Sequence, residues 1–248
     1  MKKILIIGFF LVLLIISSTA QENMFIYQKG EIITTIATEE IDSIIFYPAP
    51  GEDTIADIEG NVYKTVTIGT HLWMKENLKT TKYNDGTDIP LVTDKTDWGD
   101  LTTPGYCWYE NSKSIGTTYG ALYNWYTVST GKVCPTGWHV PIDEEWTFLT
   151  SYLGGEDVAG GKLKESGTNH WGSPNTGATN ESGFTALPGG YRNYNGTFDN
   201  FGNFGYWWSA TENDAAYAWN RYMFYGYANV YRYFKHKEVG LSVRCIRD

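Results

Sequence analysis

The chain has 248 residues, with 19 Lys and Arg against 28 Asp and Glu, for a net charge of −9. A mean hydropathy of −0.34 and 42% hydrophobic residues fit one globular domain plus a small appendage. The acidic balance argues against nucleic acid or an anionic membrane surface as partner, because both would repel the chain.

Lys2 and Lys3 precede an apolar run over residues 4–16, and Ser18-Thr19-Ala20 follows. This is the layout of a secretory signal peptide over residues 1–20, cut after Ala20. The apolar run is short for a membrane span, so no span is expected after cleavage. No Cys follows the run to take a lipid. The mature chain would keep 17 basic and 28 acidic side chains, a net charge of −11. The expected location is extracellular or the cell surface.

Three cysteines remain, Cys107, Cys134 and Cys245. An oxidising compartment favours one disulfide with one thiol left over. Spacing does not fix the pairing. Cys134–Cys245 is favoured, because it would tie the middle of the domain to its last strand. Three buried free cysteines are the alternative.

Residues 24–47 read as strands, with a hairpin signal at Lys29-Gly30 and a third β-rich run in IDSIIFY. Residues 48–53 have linker composition. Residues 21–50 thus form a small β-rich segment and linker, and 57–248 the main domain. In the latter, Glu59-Gly60-Asn61 is a turn. Val62, Lys64, Val66 and Ile68 then alternate with Tyr63, Thr65 and Thr67, and Leu72, Trp73 and Met74 begin a second strand. Tyr83-Asn84-Asp85-Gly86 is a turn, and residues 94–103 read as a polar loop. Residues 119–128 read as a short helix burying Leu122, Trp125 and Tyr126. Residues 143–153 are a stronger helix. Trp146, Leu149 and Leu153 share one face, Asp143 caps, and Gly154-Gly155 ends it. Residues 158–165 add a further turn or two. Strands joined by Gly and Asn turns are expected from 183 onward.

The motifs DIEGNVYKTVTIGTHLWMKENL, GYCWYEN, YGALYNWYTV, CPTGWHVPIDEEWTFL, NESGFTALPGGYR, YWWSAT and GLSVRC occur in that order. Over residues 57–248 this resembles the Fibrobacter succinogenes major paralogous domain family of exported bacterial proteins. Ile142 stands where that family usually has a Ser or Thr cap, and Leu241 where Phe is usual. The family resembles a branch of the C-type lectin-like fold. Its VPxDEEW and SVRC segments are also similar to signatures of formylglycine-generating enzymes. The resemblance implies an α+β fold: a C-type lectin-like domain of short helices on a twisted antiparallel sheet, with long loops, here preceded by a small β-hairpin unit.

Catalytic signals are sparse. HExxH, CxxC, GxSxG and the P-loop do not occur. Gly160-Gly161-Lys162 lacks P-loop spacing and reads as a helix-flanking loop. His139 lies near Cys134 in sequence, but a packing role is favoured over a nucleophile–base pair. The cysteine pair that formylglycine-generating enzymes need has no counterpart. Calcium would need converging oxygens. Asp94, Asp97, Asp100, Asn193, Asn195 and Asp199 are the candidates, and Arg221 beside Asn220 stands where a lectin calcium site has a carboxylate. Asp143, Glu144 and Glu145 read as helix-start acids rather than a hydrolytic pair. No cofactor, no metal and no catalysis are expected.

Residues 191–234 hold 17 of the 40 aromatic residues, with Met223 and Val230 as their only large aliphatics. Tyr, Trp, Asn, Ser and Gly in this proportion have the composition of a recognition surface. Strand alternation over 216–225 puts Tyr217, Trp219, Arg221, Met223 and Tyr225 on one face, and Ala216, Ala218, Asn220, Tyr222 and Phe224 on the other. By the family pattern, Trp219, Arg221, Met223, Val230 and Arg232 are scaffold. Asn220, Tyr222, Phe224, Asn229, Tyr231 and Tyr233 are the expected ligand-binding display. The Asn/Tyr bias also resembles the variable regions that diversity-generating retroelements write into such domains. The expectation is a binding or adhesion module for a protein or glycan ligand. The alternatives are an accessory domain of carbohydrate-active machinery or a structural appendage subunit.

Overall fold

The computed structural model describes residues 3–7, 23–28, 31–37, 41–46 and 54–248. Two compact units divide the chain, Met1–Asp53 and Thr54–Asp248. The first contains β1 (Lys3–Ile7), β2 (Asn23–Gln28), β3 (Glu31–Ala37) and β4 (Ile41–Phe46). β2 and β3 pair antiparallel across the expected hairpin, and β1 pairs in parallel with β4. The expected cleavage point after Ala20 and the linker at 48–53 lie outside the described residues.

The second unit is mixed α+β, with short helices and curled antiparallel sheets. β5 (Thr54–Ala56), β6 (Val62–Ile68), β7 (His71–Met74), β10 (Trp138–His139) and β16 (Ile246–Arg247) form a five-stranded sheet in the order β10-β16-β7-β6-β5. β8 (Tyr106–Cys107) pairs with β9 (Leu122–Tyr123), and β11 (Tyr191–Arg192) with β12 (Phe198–Asp199). The last sheet is β13 (Phe204–Glu212), β14 (Tyr217–Phe224) and β15 (Tyr231–His236), antiparallel throughout. Its strands carry the aromatic stretch. The helices are α1 (Lys95–Gly99), α2 (Lys113–Tyr119), α3 (Trp125–Val128), α4 (Asp143–Tyr152) and α5 (Glu156–Leu163).

Residues 240–247 run along the seam between the sheets. Gly240 and Leu241 exchange backbone bonds with Arg192 and Tyr123, Trp208 N–H donates to Ser242 O, and Leu78 N–H donates to Val243 O. Cys245 closes the expected disulfide with Cys134 across 111 residues of sequence. By loop-closure entropy, a tie of that length removes about 4–5 kcal/mol of freedom from the unfolded chain. Cys107 is free and buried.

Several local expectations change. Residues 119–128 are not one helix. Tyr119 is the last residue of α2, which Gly120 ends, Leu122 and Tyr123 are a strand, and Trp125–Val128 is a separate short helix, started by Asn124, whose side chain accepts from Thr127 N–H. Pairing with β8 outweighs the helical spacing. The polar 94–103 stretch contains α1, capped by Asp94 and seated on the buried Trp98. In β6 burial does not keep to one face: Tyr63 and Ile68, which alternation puts on opposite sides, are both buried, and Val62 is 56% exposed. Gly160, Gly161 and Lys162 lie inside α5 rather than in a flanking loop.

α4 forms as expected, with Trp146, Leu149 and Leu153 buried and a stop at Gly154-Gly155. Its N-cap, however, is Ile142. Glu145 reaches back to accept the Ile142 N–H at 2.9 Å, the Glu half of a capping box, and the Asp143 N–H donates to Thr211 Oγ1 at 2.9 Å. Asp143, expected to cap, is turned inward instead.

Candidate functional site

The sheet β13-β14-β15 is buried at one edge and open at the other. Trp207 and Trp208 are consecutive residues of β13, so they point to opposite faces. Both are fully buried. Trp207 joins a core with Trp73, Trp146, Phe184 and Met223, and Trp208 joins a second with Tyr123, Trp125, Tyr206 and Val243. Both faces are therefore covered at β13. At β15, Tyr233 is 50% exposed and Phe234 37%.

This gradient corrects the scaffold-and-display division. Arg221, Met223 and Val230 are buried scaffold, as read from sequence. Asn220, assigned to display, is 0% exposed, and its amide donates to Tyr233 O at 3.2 Å. Arg232, assigned to scaffold, has its side chain 39% exposed. Alternation separates a wet face from a dry one only where one face meets water. Here exposure depends on distance from β13, not on the face.

The remaining expected residues do come together. Tyr222 stacks on Tyr231 with centroids 4.7 Å apart, Phe224 stacks on Phe204 at 4.5 Å, and Tyr222 meets Tyr233 edge-on at 6.4 Å. Tyr222, Phe224 and Tyr231 are half-buried. Asn229 lies off the strands, in the β14–β15 turn, and its amide donates to Asp157 of α5 at 2.9 Å. Lys235 extends the same face, its Nζ 4.4 Å from the centre of the Tyr191 ring and 5.3 Å from that of Tyr206. Burial lowers the Lys235 pKa, and burial likewise raises that of Tyr222.

Two anchors position this surface, and the sequence marked neither. The first is Asp143. Its carboxylate accepts from Arg221 of β14 at 2.6 Å and from Arg232 of β15 at 2.9 Å, while Arg221 also donates to Asp143 O and Thr147 Oγ1. The Arg232 guanidinium then lies 3.3 Å over the Trp219 ring. Burial pulls the Arg221 pKa down, and the Asp143 carboxylate opposes that shift. A carboxylate in the first turn of α4 thus clamps the middle strand β14 and the edge strand β15.

The second anchor holds the β14–β15 turn. Lys164 is fully buried, and its Nζ donates to Thr176 O, Phe224 O and Tyr227 O at 3.0, 3.2 and 2.8 Å. Three carbonyls satisfy the three ammonium hydrogens without a carboxylate, while burial pulls the amine down to about 8. Gly160 and Gly161 let α5 close on the turn. A Cβ on Gly160 would run into Asn229 O, and one on Gly161 into Gly177 O. Val230 N–H donates to Glu156 O, and Gly161 N–H to Ala228 O.

Several of the residues weighed for chemistry have structural partners. Cys134 is joined to Cys245, so it offers His139 no thiol. His139 sits between Glu145 at 2.9 Å and Asp248 at 2.6 Å, contacts that raise it to about 9. Burial pushes the Cys107 thiol up to about 12. Asp94 caps α1, and Asn195 and Asp199 both accept from Thr197. The buried Arg192 donates to Val92 O, Thr93 O and Asp94 O, which fastens the 92–94 backbone to β11. Among the described residues no three His, Cys, Asp or Glu side chains are grouped to hold a metal ion. No helix among them is long and apolar enough to cross a membrane.

The profile of the Fibrobacter succinogenes major domain matches residues 66–247. The chain belongs to that family. Its matched span contains both anchors, the disulfide and the whole of the open sheet. No curated protein and no solved structure matches the chain.

Proposed function

We propose that this family member is an exported binding protein whose recognition surface is the open edge of the β13-β14-β15 sheet. The observation that carries the reading is the exposure gradient: aromatic residues continue past the last buried strand onto β15, where Tyr233 and Phe234 keep much of their surface in water. Large exposed aromatics held on a clamped strand lose little freedom on binding, which is what a recognition element needs. A five-stranded and a three-stranded antiparallel sheet linked by long pinned loops also support placing the family near the C-type lectin-like domains. The half-buried Tyr222, Asn229 and Tyr231 and the exposed Tyr233 fit a diversified surface, whereas the buried Asn220 does not.

A protein ligand is favoured over a polysaccharide. Stacking on a sugar needs an open ring face. Here Tyr222 and Tyr231 turn their faces to each other at 13°, and Tyr233 and Phe234 do so at 5°. One face of each of these rings is therefore already taken by a neighbour, which leaves less ring surface for a sugar. The test is a binding screen of the purified chain against surface proteins and glycans, beside a Tyr222→Ala, Tyr231→Ala, Tyr233→Ala triple variant. A variant that stays folded and binds as well as wild type sinks the assignment.

A second reading rests on a shallow depression of about 440 Å³ lined by Gly99, Asp100, Thr102, Tyr194, His236 and Glu238. Tyr194 is 50% exposed there, and Tyr126 O–H holds Glu238 at 3.1 Å. One open tyrosine beside two carboxylates suits a single neutral sugar unit. Saturation-transfer NMR with monosaccharides, compared with Asp100→Asn, decides it.

A further inference from the structure

β15 ends its sheet, and the register shows which of its backbone groups are free. Lys237 N–H donates to Ala216 O at 3.0 Å, so these two residues face each other as a hydrogen-bonded pair. Hydrogen-bonded and non-hydrogen-bonded pairs alternate along an antiparallel ladder. Counting back by twos, Lys235, Tyr233 and Tyr231 are bonded to Ala218, Asn220 and Tyr222. The N–H and C=O groups of Arg232 and Phe234 therefore point away from β14. Among the described residues no strand pairs with that side. The His236 carbonyl is closed off by Val239 N–H at 3.0 Å. The free edge is thus short: both backbone groups of Arg232 and of Phe234, followed by the His236 N–H.

The charged side chains that β15 itself carries along this edge are all basic. From Tyr231 to Lys237 the strand reads YRYFKHK, with four basic or imidazole side chains and no acid, in a chain of net charge −9. Arg232 is matched by Asp143 and Lys237 by Glu212. Lys235 has no carboxylate within ion-pair distance among the described residues, and its amine rests on the Tyr191 and Tyr206 rings. A second copy of the chain is a poor occupant, because pairing two β15 edges would set this basic run against itself with no acid in either strand.

We propose that the Arg232–Phe234 edge binds an extended acidic peptide segment of a partner protein by strand addition. This deepens, and rests on, the reading of this sheet as a recognition surface. The peptide's backbone would meet the free groups of Arg232 and Phe234. An acidic side chain would reach Lys235 on the Tyr231/Tyr233 face, and apolar side chains would lie on the rings of Tyr233 and Phe234.

The experiment pans a displayed library of random ten-residue peptides on the immobilised full chain, then measures the enriched peptide as a synthetic ligand. The expected outcome is an acidic peptide with alternating apolar residues. N-methylation at every second residue weakens it at least tenfold in one phase and less than twofold in the other, because only one phase faces β15. Lys235→Glu weakens it at least tenfold, with an unchanged unfolding midpoint as the folding control. Equal effects of both methylation phases, enrichment of basic peptides, or no enrichment would overturn strand addition. If Tyr222→Ala, Tyr231→Ala, Tyr233→Ala abolishes binding of an enriched peptide while methylation does not, the recognition surface stands and only the strand-addition mode fails. If neither matters, both fail.

Discussion

β13 and β15 belong to one sheet and are built from the same residue types, yet they have opposite fates. β13 carries Tyr206, Trp207 and Trp208, all buried, and β15 carries Tyr231, Tyr233 and Phe234, all in contact with water. Aromatic composition alone therefore does not separate a core from a recognition surface. What separates them is the number of layers covering the strand. β13 has a core on each face. On its side away from β14, β13 is bridged by Gly190 and Ser242, whereas among the described residues β15 has a neighbour on one side only. The strand between them is mixed, with Ala218, Asn220, Arg221 and Met223 buried and Tyr222 and Phe224 half-buried.

The sharpest way to break this comparison is to substitute at both ends. Trp207→Ala removes a fully buried indole whose Nε1–H donates to Asn77 Oδ1 at 2.8 Å. The expected cost is about 3–5 kcal/mol, read by urea unfolding. A cost under about 1 kcal/mol would mean that β13 is not the closed end. The clamp between the two regions comes next. Asp143→Ala strands the guanidinium of Arg221, which is 2% exposed, and frees Arg232. Removing one partner of a buried pair costs about 3 kcal/mol or more. Hydrogen exchange in Asp143→Ala should rise most in β15, because that strand loses Arg232's hold. A uniform rise would count against Asp143 as the device that orders the edge.

Lys164 offers a gentler test of how the open end is held. Its folded pKa of about 8 lies below the ordinary lysine value of about 10.4. Between those values the unfolded chain keeps a proton that the folded chain has released. Lys164 therefore adds stability as pH rises through that window, and loses it as pH falls back through about 8. Tyrosines also titrate there, so the readout is a difference. The stability of wild type relative to Lys164→Met should grow from pH 8 to 10.5. A flat difference would mean that the three carbonyls keep the ammonium charged throughout.

The sequence carries part of this arrangement. The 143–153 helix, the turn at 83–86, the Cys134–Cys245 bond and the β-rich C-terminal third are legible because each follows from local spacing or from one pairing choice. The clustering of Tyr222, Phe224, Tyr231 and Tyr233 on one face is legible from a period of two. What is not legible depends on contacts distant in sequence. Asp143 reads as a cap because a carboxylate in a first turn usually faces water. Its partners Arg221 and Arg232 lie 78 and 89 positions away. Nothing in the neighbouring sequence singles out Lys164 or Arg192, and only the folded loops supply the carbonyls that let them stay inside. Asn220 reads as display because alternation assigns a face but not whether that face is covered. Its buried Oδ1 has no hydrogen-bond partner among the described residues, whereas its Nδ2 is satisfied.

The smallest stability effect is the most informative about function. Tyr233→Ala removes a ring that is half in water and stacked only on Phe234 at 4.9 Å and, edge-on, on Tyr222. Substitution at such an exposed edge position changes stability by about 0.5 kcal/mol or less. If β15 is a recognition element, the same change should weaken the ligand found in the binding screen by tenfold or more, since exposed aromatic anchors concentrate interface energy. Stability and binding would then be separated within one sheet: large stability loss without direct ligand contact at Trp207, and ligand loss without instability at Tyr233. A Tyr233→Ala variant that unfolds like Trp207→Ala would place β15 inside a core that extends further than the present edge. A variant that is stable and still binds would move the recognition surface off β15, toward the depression beside Tyr194 and His236.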